Sequence, residues 1–132
     1  MVRLAPGEAA VVERVPVRRL AVDGRRIVAV DGEIMRSRVR ALYNGTCAVT
    51  VVLDGDGRLA GEPQVTAVGL VEEGDGTLAE AAAAAAAAVD DLAPRARGDD
   101  DAVREAVRIA VRRAFRAALD KKPVTSVHIV RV

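Results

Sequence analysis

The sequence predicts an α/β fold of the α+β two-layer sandwich kind: a β-β-α-α-β unit with two helices on one face of a three-stranded sheet, preceded by a β-rich linker arm. Three observations carry this reading. Residues 46–53 alternate strictly, with Cys47, Val49, Val51 and Leu53 on one side, the period-two pattern of a half-buried strand. Two later segments, 77–93 and 99–119, repeat apolar residues at helical spacing. The chain then closes on a β-branched run, 124–132. Laying both helical stripes on one side of a sheet is the simplest way to bury them.

The first 44 residues read as an arm with no core of its own. Residues 2–4, 9–12 and 17–22 look extended, punctuated by Pro6-Gly7 and Pro16. Asp23-Gly24 is a two-residue hairpin signal of the type I′ kind, with 25–30 as the returning strand. Residues 33–43 predict a short helix whose apolar residues are Ile34, Val39 and Leu42, leaving Arg36, Arg38 and Arg40 largely solvated. Asn44-Gly45 ends it, since both tolerate the left-handed conformation that closes a helix.

The compact unit spans residues 45–132. After the first strand, Asp54-Gly55-Asp56-Gly57 makes a tight turn. Residues 58–60 and 64–71 return as a second strand, broken near Pro63, which has no N–H for a ladder. Thr77 and Glu80 form a capping-box pattern. The helix they open runs to about residue 93 and stops at Pro94, with Leu78, Ala82, Ala85, Val89 and Leu92 as its seam. Asp90 and Asp91 oppose the dipole at its C-terminal end. Asp99, Asp100 and Asp101 favour the start of the next helix. Its buried stripe is read as Val103, Val107, Ala110, Val111, Ala114 and Ala118, and Lys121-Lys122-Pro123 ends it.

Composition narrows the possible chemistry. The chain is 51% hydrophobic but only 2% aromatic, so valine, alanine, leucine and isoleucine must build the core. The net charge of +1 hides an asymmetry. Residues 1–40 carry 9 basic and 5 acidic side chains, 41–100 carry 3 and 11, and 101–132 carry 8 and 3. Positive ends and a negative middle suit a local nucleic-acid footprint or head-to-tail contact between subunits. No apolar run matches a membrane span, and the N-terminus lacks the layout of a signal peptide. One cysteine allows no intrachain disulfide, which fits a cytoplasmic protein.

No catalytic, cofactor-binding or metal-binding residue is assigned. A zinc site draws three or four ligands from histidine, cysteine and carboxylates; His128 and Cys47 are the only ones of the first two types. They read as a strand residue and a small buried hydrophobe. Asp54 and Asp56 resemble the start of a calcium loop but lack its remaining ligands, so a hairpin turn is the better reading. No phosphate loop or serine-nucleophile motif occurs. The remaining feature is a helical stripe, Arg104, Arg108, Arg112 and Arg116, with Arg113 alongside and Lys121 and Lys122 beyond. These residues share one face. They fit a solvated outer face partly paired with Glu105 or the acidic middle segment, or, as the functional alternative, phosphate contact with RNA.

Four collinear stretches resemble one bacterial family. They are VRLAPGE at residues 2–8, VERVPVRRLAVDG at 12–24, LDGDGRLAGEPQVTAVGLV at 53–71 and RRAFRAALDKKPVTSVHIVRV at 112–132. In order and spacing they are similar to the C-terminal part of ribonuclease J, a metallo-β-lactamase/β-CASP ribonuclease, and look most like its alphaproteobacterial branch. The resemblance implies a two-metal 5′-to-3′ exonuclease and endonuclease whose zinc-binding motifs lie in a separate catalytic half. None of those motifs has a counterpart here. It further implies a non-catalytic α/β domain that supports homo-oligomerisation and full activity, with residues 1–44 as the arm leaving the catalytic domain and Met1 as a start placed at the boundary. Its partners would be that catalytic domain, further copies of itself and possible RNA, with no membrane. An RNA-binding module, or an unrelated free-standing α/β protein, is the alternative.

Overall fold

The computed structural model describes residues 6–7, 9–11 and 13–132. The chain divides into two compact units between Arg36 and Ser37.

Within the first unit, β1 (Leu20–Asp23) and β2 (Arg26–Ala29) form an antiparallel hairpin. Asp23 pairs with Arg26, so the turn residues are Gly24 and Arg25, one position later than the sequence predicts. Gly24 has φ +60° and Arg25 is not left-handed. A positive φ at the first central residue alone is the type II′ pattern, not type I′. The strands are also shorter than expected, because only four residue pairs face each other. The extended segment expected at 2–4 lies outside the described residues, as does Val12, and residues 9–11 join no strand.

The helix α1 (Glu33–Asn44) forms where predicted. Gly45 ends it at φ +74°, its amide donating to the Ala41 carbonyl at 2.8 Å. A Cβ at Gly45 would stand 2.5 Å from Leu70 Cγ, so the position demands glycine for space as well as for conformation.

In the second unit the sheet order is β4-β3-β5, with β3 (Thr46–Leu53) in the middle. The strand β4 (Gln64–Val68) is antiparallel to it and β5 (Val124–Arg131) parallel. Leu59 makes only an isolated bridge to Leu53, and β4 stops at Val68 because Gly69 turns away at φ +73°. Cys47, Val49, Val51 and Leu53 are buried, as the alternation predicts.

Two helices cover that inner face. For α2 (Thr77–Asp90), Thr77 is not the cap: its amide and hydroxyl both donate to Asp75 Oδ1, at 2.8 and 2.5 Å. Asp75 thus satisfies the Thr77 amide, which the Glu80 side chain would serve in a capping box, while the Glu80 amide donates to the Gly76 carbonyl at 3.1 Å. The buried seam is Thr77, Ala81, Ala85 and Val89: Ala85 and Val89 are buried as expected, whereas Thr77 and Ala81 replace Leu78 and Ala82, which like Leu92 are only partly buried. The helix ends at Asp90, short of Pro94, where the Arg97 guanidinium donates to the Asp90 carbonyl at 2.9 Å and supplies positive charge to that end.

For α3 (Asp100–Leu119), the Asp99 side chain accepts from the amides of Asp101 and Ala102, as a capping aspartate should. Its buried stripe is Val103, Val107, Val111 and Phe115. Phe115 therefore belongs to the core, while Ala118, which the sequence reading placed there, is exposed. The result is a two-layer unit, helices on one side, with a core of valine, alanine and leucine around one phenylalanine.

Candidate functional site

The arginine stripe sits where the helix geometry puts it. Arg104, Arg108, Arg112 and Arg116 each follow one residue after a buried position of α3, about 100° further round. They line the border between core and solvent, which is why Arg108 and Arg112 are half-buried and Arg104 and Arg116 exposed.

The structure separates the seven predicted cations into two sets. Arg108, Arg112, Arg113, Arg116 and Lys122 gather around two adjoining depressions of about 260 and 470 Å³ that share Arg108, Arg112 and Lys122. Arg104 lies outside and pairs with Asp101 at 2.7 Å. Lys121 is also outside, donating from Nζ to the Tyr43 carbonyl at 2.9 Å and thereby binding the end of α1.

The larger depression contains residues that the sequence reading left solvated or unassigned. Arg40 and Asn44 from α1 and Thr125 from β5 line it. They arrive there because the Val124 amide donates to the Gly45 carbonyl at 3.1 Å, placing the end of α1 beside the start of β5. No local pattern announces that pairing.

Arg108 is held by Glu105 through two hydrogen bonds, at 2.9 and 2.5 Å. That contact holds the Glu105 carboxyl below its usual range and raises Arg108. Arg112 has no hydrogen-bond acceptor or ion-pair partner among the described residues, and its Nε is shut off from solvent. A buried donor left unsatisfied costs about 1–3 kcal/mol. Burial pushes the nearby Cys47 thiol up, against opposing pulls from Thr125 and from the Arg112 charge.

Among the described residues, the candidate metal ligands do not converge. Cys47 points to the core side of the sheet, whereas His128 is outward, paired with Thr50. The Asp54 carboxylate accepts the amides of Asp56 and Arg58 at 2.9 and 3.0 Å, which makes it a turn residue.

The opposite face of the sheet is open. Its outward residues are Thr46, Ala48, Thr50 and Val52 on β3, Gln64, Thr66 and Val68 on β4, and Val124, Ser126, His128 and Val130 on β5. No Asp, Glu, Lys or Arg is among them, in a chain that is 30% charged. Val68, Val124 and Val130 are 75%, 37% and 45% exposed. Among the described residues, no helix is long and apolar enough to cross a membrane.

A family model described as the ribonuclease J C-terminal domain matches residues 18–132. A ribonuclease J of Sinorhizobium meliloti, an alphaproteobacterium, is 37% identical over 136 residues, covering 100% of this chain and 24% of the relative. A ribonuclease J of Corynebacterium glutamicum is 31% identical over 105 residues, covering 79% of this chain and 14% of the relative. The chain thus spans about a quarter or less of the length of these relatives. On the match over residues 18–132, the chain belongs to the ribonuclease J C-terminal domain family.

Proposed function

We propose that this chain is the non-catalytic accessory domain of a cytoplasmic ribonuclease J, and that it joins subunits into a homo-oligomer through the open face of its sheet. The observation that carries this is the uncharged character of that face. Desolvating charged groups is the main cost of burying a surface, and here none would be buried. A second copy of the same face fits it without repulsion, the self-complementary arrangement of a two-fold dimer. Two such sheets pack face to face at about 10 Å, with side chains interdigitating.

In this reading the metal-dependent hydrolysis of RNA, by 5′-to-3′ exonuclease and endonuclease action, belongs to a metallo-β-lactamase catalytic domain that holds the zinc. Residues 1–44 lead from that domain, and the accessory unit raises activity by assembling it. The opposed placement of Cys47 and His128 supports a division in which this domain supplies no metal ligands.

Sedimentation equilibrium of the chain across the micromolar range tests the proposal. The expected result is reversible dimerisation that Val130→Lys and Ser126→Lys, both at exposed outward positions, abolish without lowering the melting temperature. A strictly monomeric wild-type chain overturns it, and so does undiminished association of both variants.

A further inference from the structure

The geometry points to a binding site for the phosphodiester backbone of RNA in the cationic concavity over α3 and the start of β5. Six cationic side chains line its two depressions: Arg40, Arg108, Arg112, Arg113, Arg116 and Lys122. Among the described residues, no acidic side chain lines either depression. The Glu105 carboxylate on the same helix is engaged by Arg108. Arg112 is the centre of the argument. It is half-buried, shared by both depressions, and without a hydrogen-bond acceptor or close ion pair among the described residues, and the Glu105 carboxylate whose charge it feels is bonded to Arg108. A guanidinium in that position is disfavoured unless an anion completes it.

The number and placement of the charges select a polyanion. One phosphate group neutralises at most two of the six cations, whereas two joined depressions match successive phosphates along a strand. The guanidinium groups present planar pairs of donors suited to non-bridging phosphate oxygens. Bases find no platform to stack on, since Phe115 is buried and Tyr43 does not line the concavity. The site therefore reads phosphates and not sequence. Its cationic residues lie on α1, α3 and the segment before β5, off the open sheet face, which the concavity borders at Val124.

Fluorescence anisotropy of a labelled oligouridylate with the full chain, over a salt series, tests this. Affinity should fall with salt, with a log–log slope of about −0.7 for each phosphate neutralised. Arg112→Gln and Lys122→Gln should each weaken binding roughly five- to tenfold and make that slope shallower by about one phosphate's share. Arg104→Gln, outside the concavity, should leave binding unchanged. Arg116→Glu, at an exposed position, should give the same loss and keeps the test decisive if Arg112→Gln does not fold. Unchanged binding in these concavity variants overturns the inference, as does an equal loss in Arg104→Gln. Inorganic phosphate serves as competitor: failure to displace the strand at equal phosphate concentration supports the strand, and efficient displacement overturns it in favour of a single-anion pocket.

Discussion

Asp75 Oδ1 accepts both the amide and the hydroxyl of Thr77, at 2.8 and 2.5 Å, and so starts α2 from two residues upstream. These bonds hold the Asp75 carboxyl below its ordinary range. A depressed folded-state value means that the stabilisation is fully present above the ordinary carboxylate pKa. It is lost as pH falls through the lowered value. Asp75→Asn should therefore reduce stability at neutral pH and flatten the acid limb of a melting-temperature profile.

Gly45 and Gly74 are both left-handed, at φ +74° and +86°, but their surroundings differ. A Cβ at Gly45 would press on Leu70, whereas nothing lies within 4 Å at Gly74. Chemical denaturation should show Gly74→Ala costing about 1 kcal/mol, the conformational penalty alone. Gly45→Ala should cost more, about 2–4 kcal/mol, because steric displacement adds to it.

Phe115 is the largest fully buried side chain. Its truncation to alanine should destabilise the domain by about 3–5 kcal/mol in equilibrium unfolding. Ala118→Ser, at a position that the helical pattern alone would bury, should stay within about 0.5 kcal/mol.

Cys47 is buried, and burial raises its thiol pKa. The thiol should therefore stay protonated at neutral pH and react with a disulfide reagent slower by about two orders of magnitude in the native chain than in denaturant. A burst of labelling under native conditions would place Cys47 on an accessible surface instead.

How much of this was legible depended on how much information each segment carries. The β3 register was readable because Cys47, Val49, Val51 and Leu53 alternate with smaller or polar residues. The α2 register was readable at Ala85 and Val89 but not at the N-terminal end, since eight consecutive alanines, 81–88, have no apolar periodicity of their own. Only Thr77 and Val89, at the ends of the 77-81-85-89 row, distinguish that seam from its neighbour. Phe115 was missed for a related reason: Ala110, Ala114 and Ala118 offered a parallel helical row, and volume, not period, decides between them.

The basic site was half legible. Spacing on α3 identified Arg108, Arg112 and Arg116, which lie on one helix. Arg40 and Thr125 join them through a contact between segments far apart in sequence, Gly45 to Val124. The same distance hid the open sheet face, which is uncharged only when three separated strands are laid side by side.

That face carries the account, and amide chemical shifts followed through a dilution series of the isotopically labelled chain test it most directly. The predicted result is concentration-dependent shifts concentrated in β3, β4 and β5, along the rows through Ala48, Thr66 and Ser126. Shifts confined to the outer surfaces of α2 and α3, or none at any concentration, would contradict it.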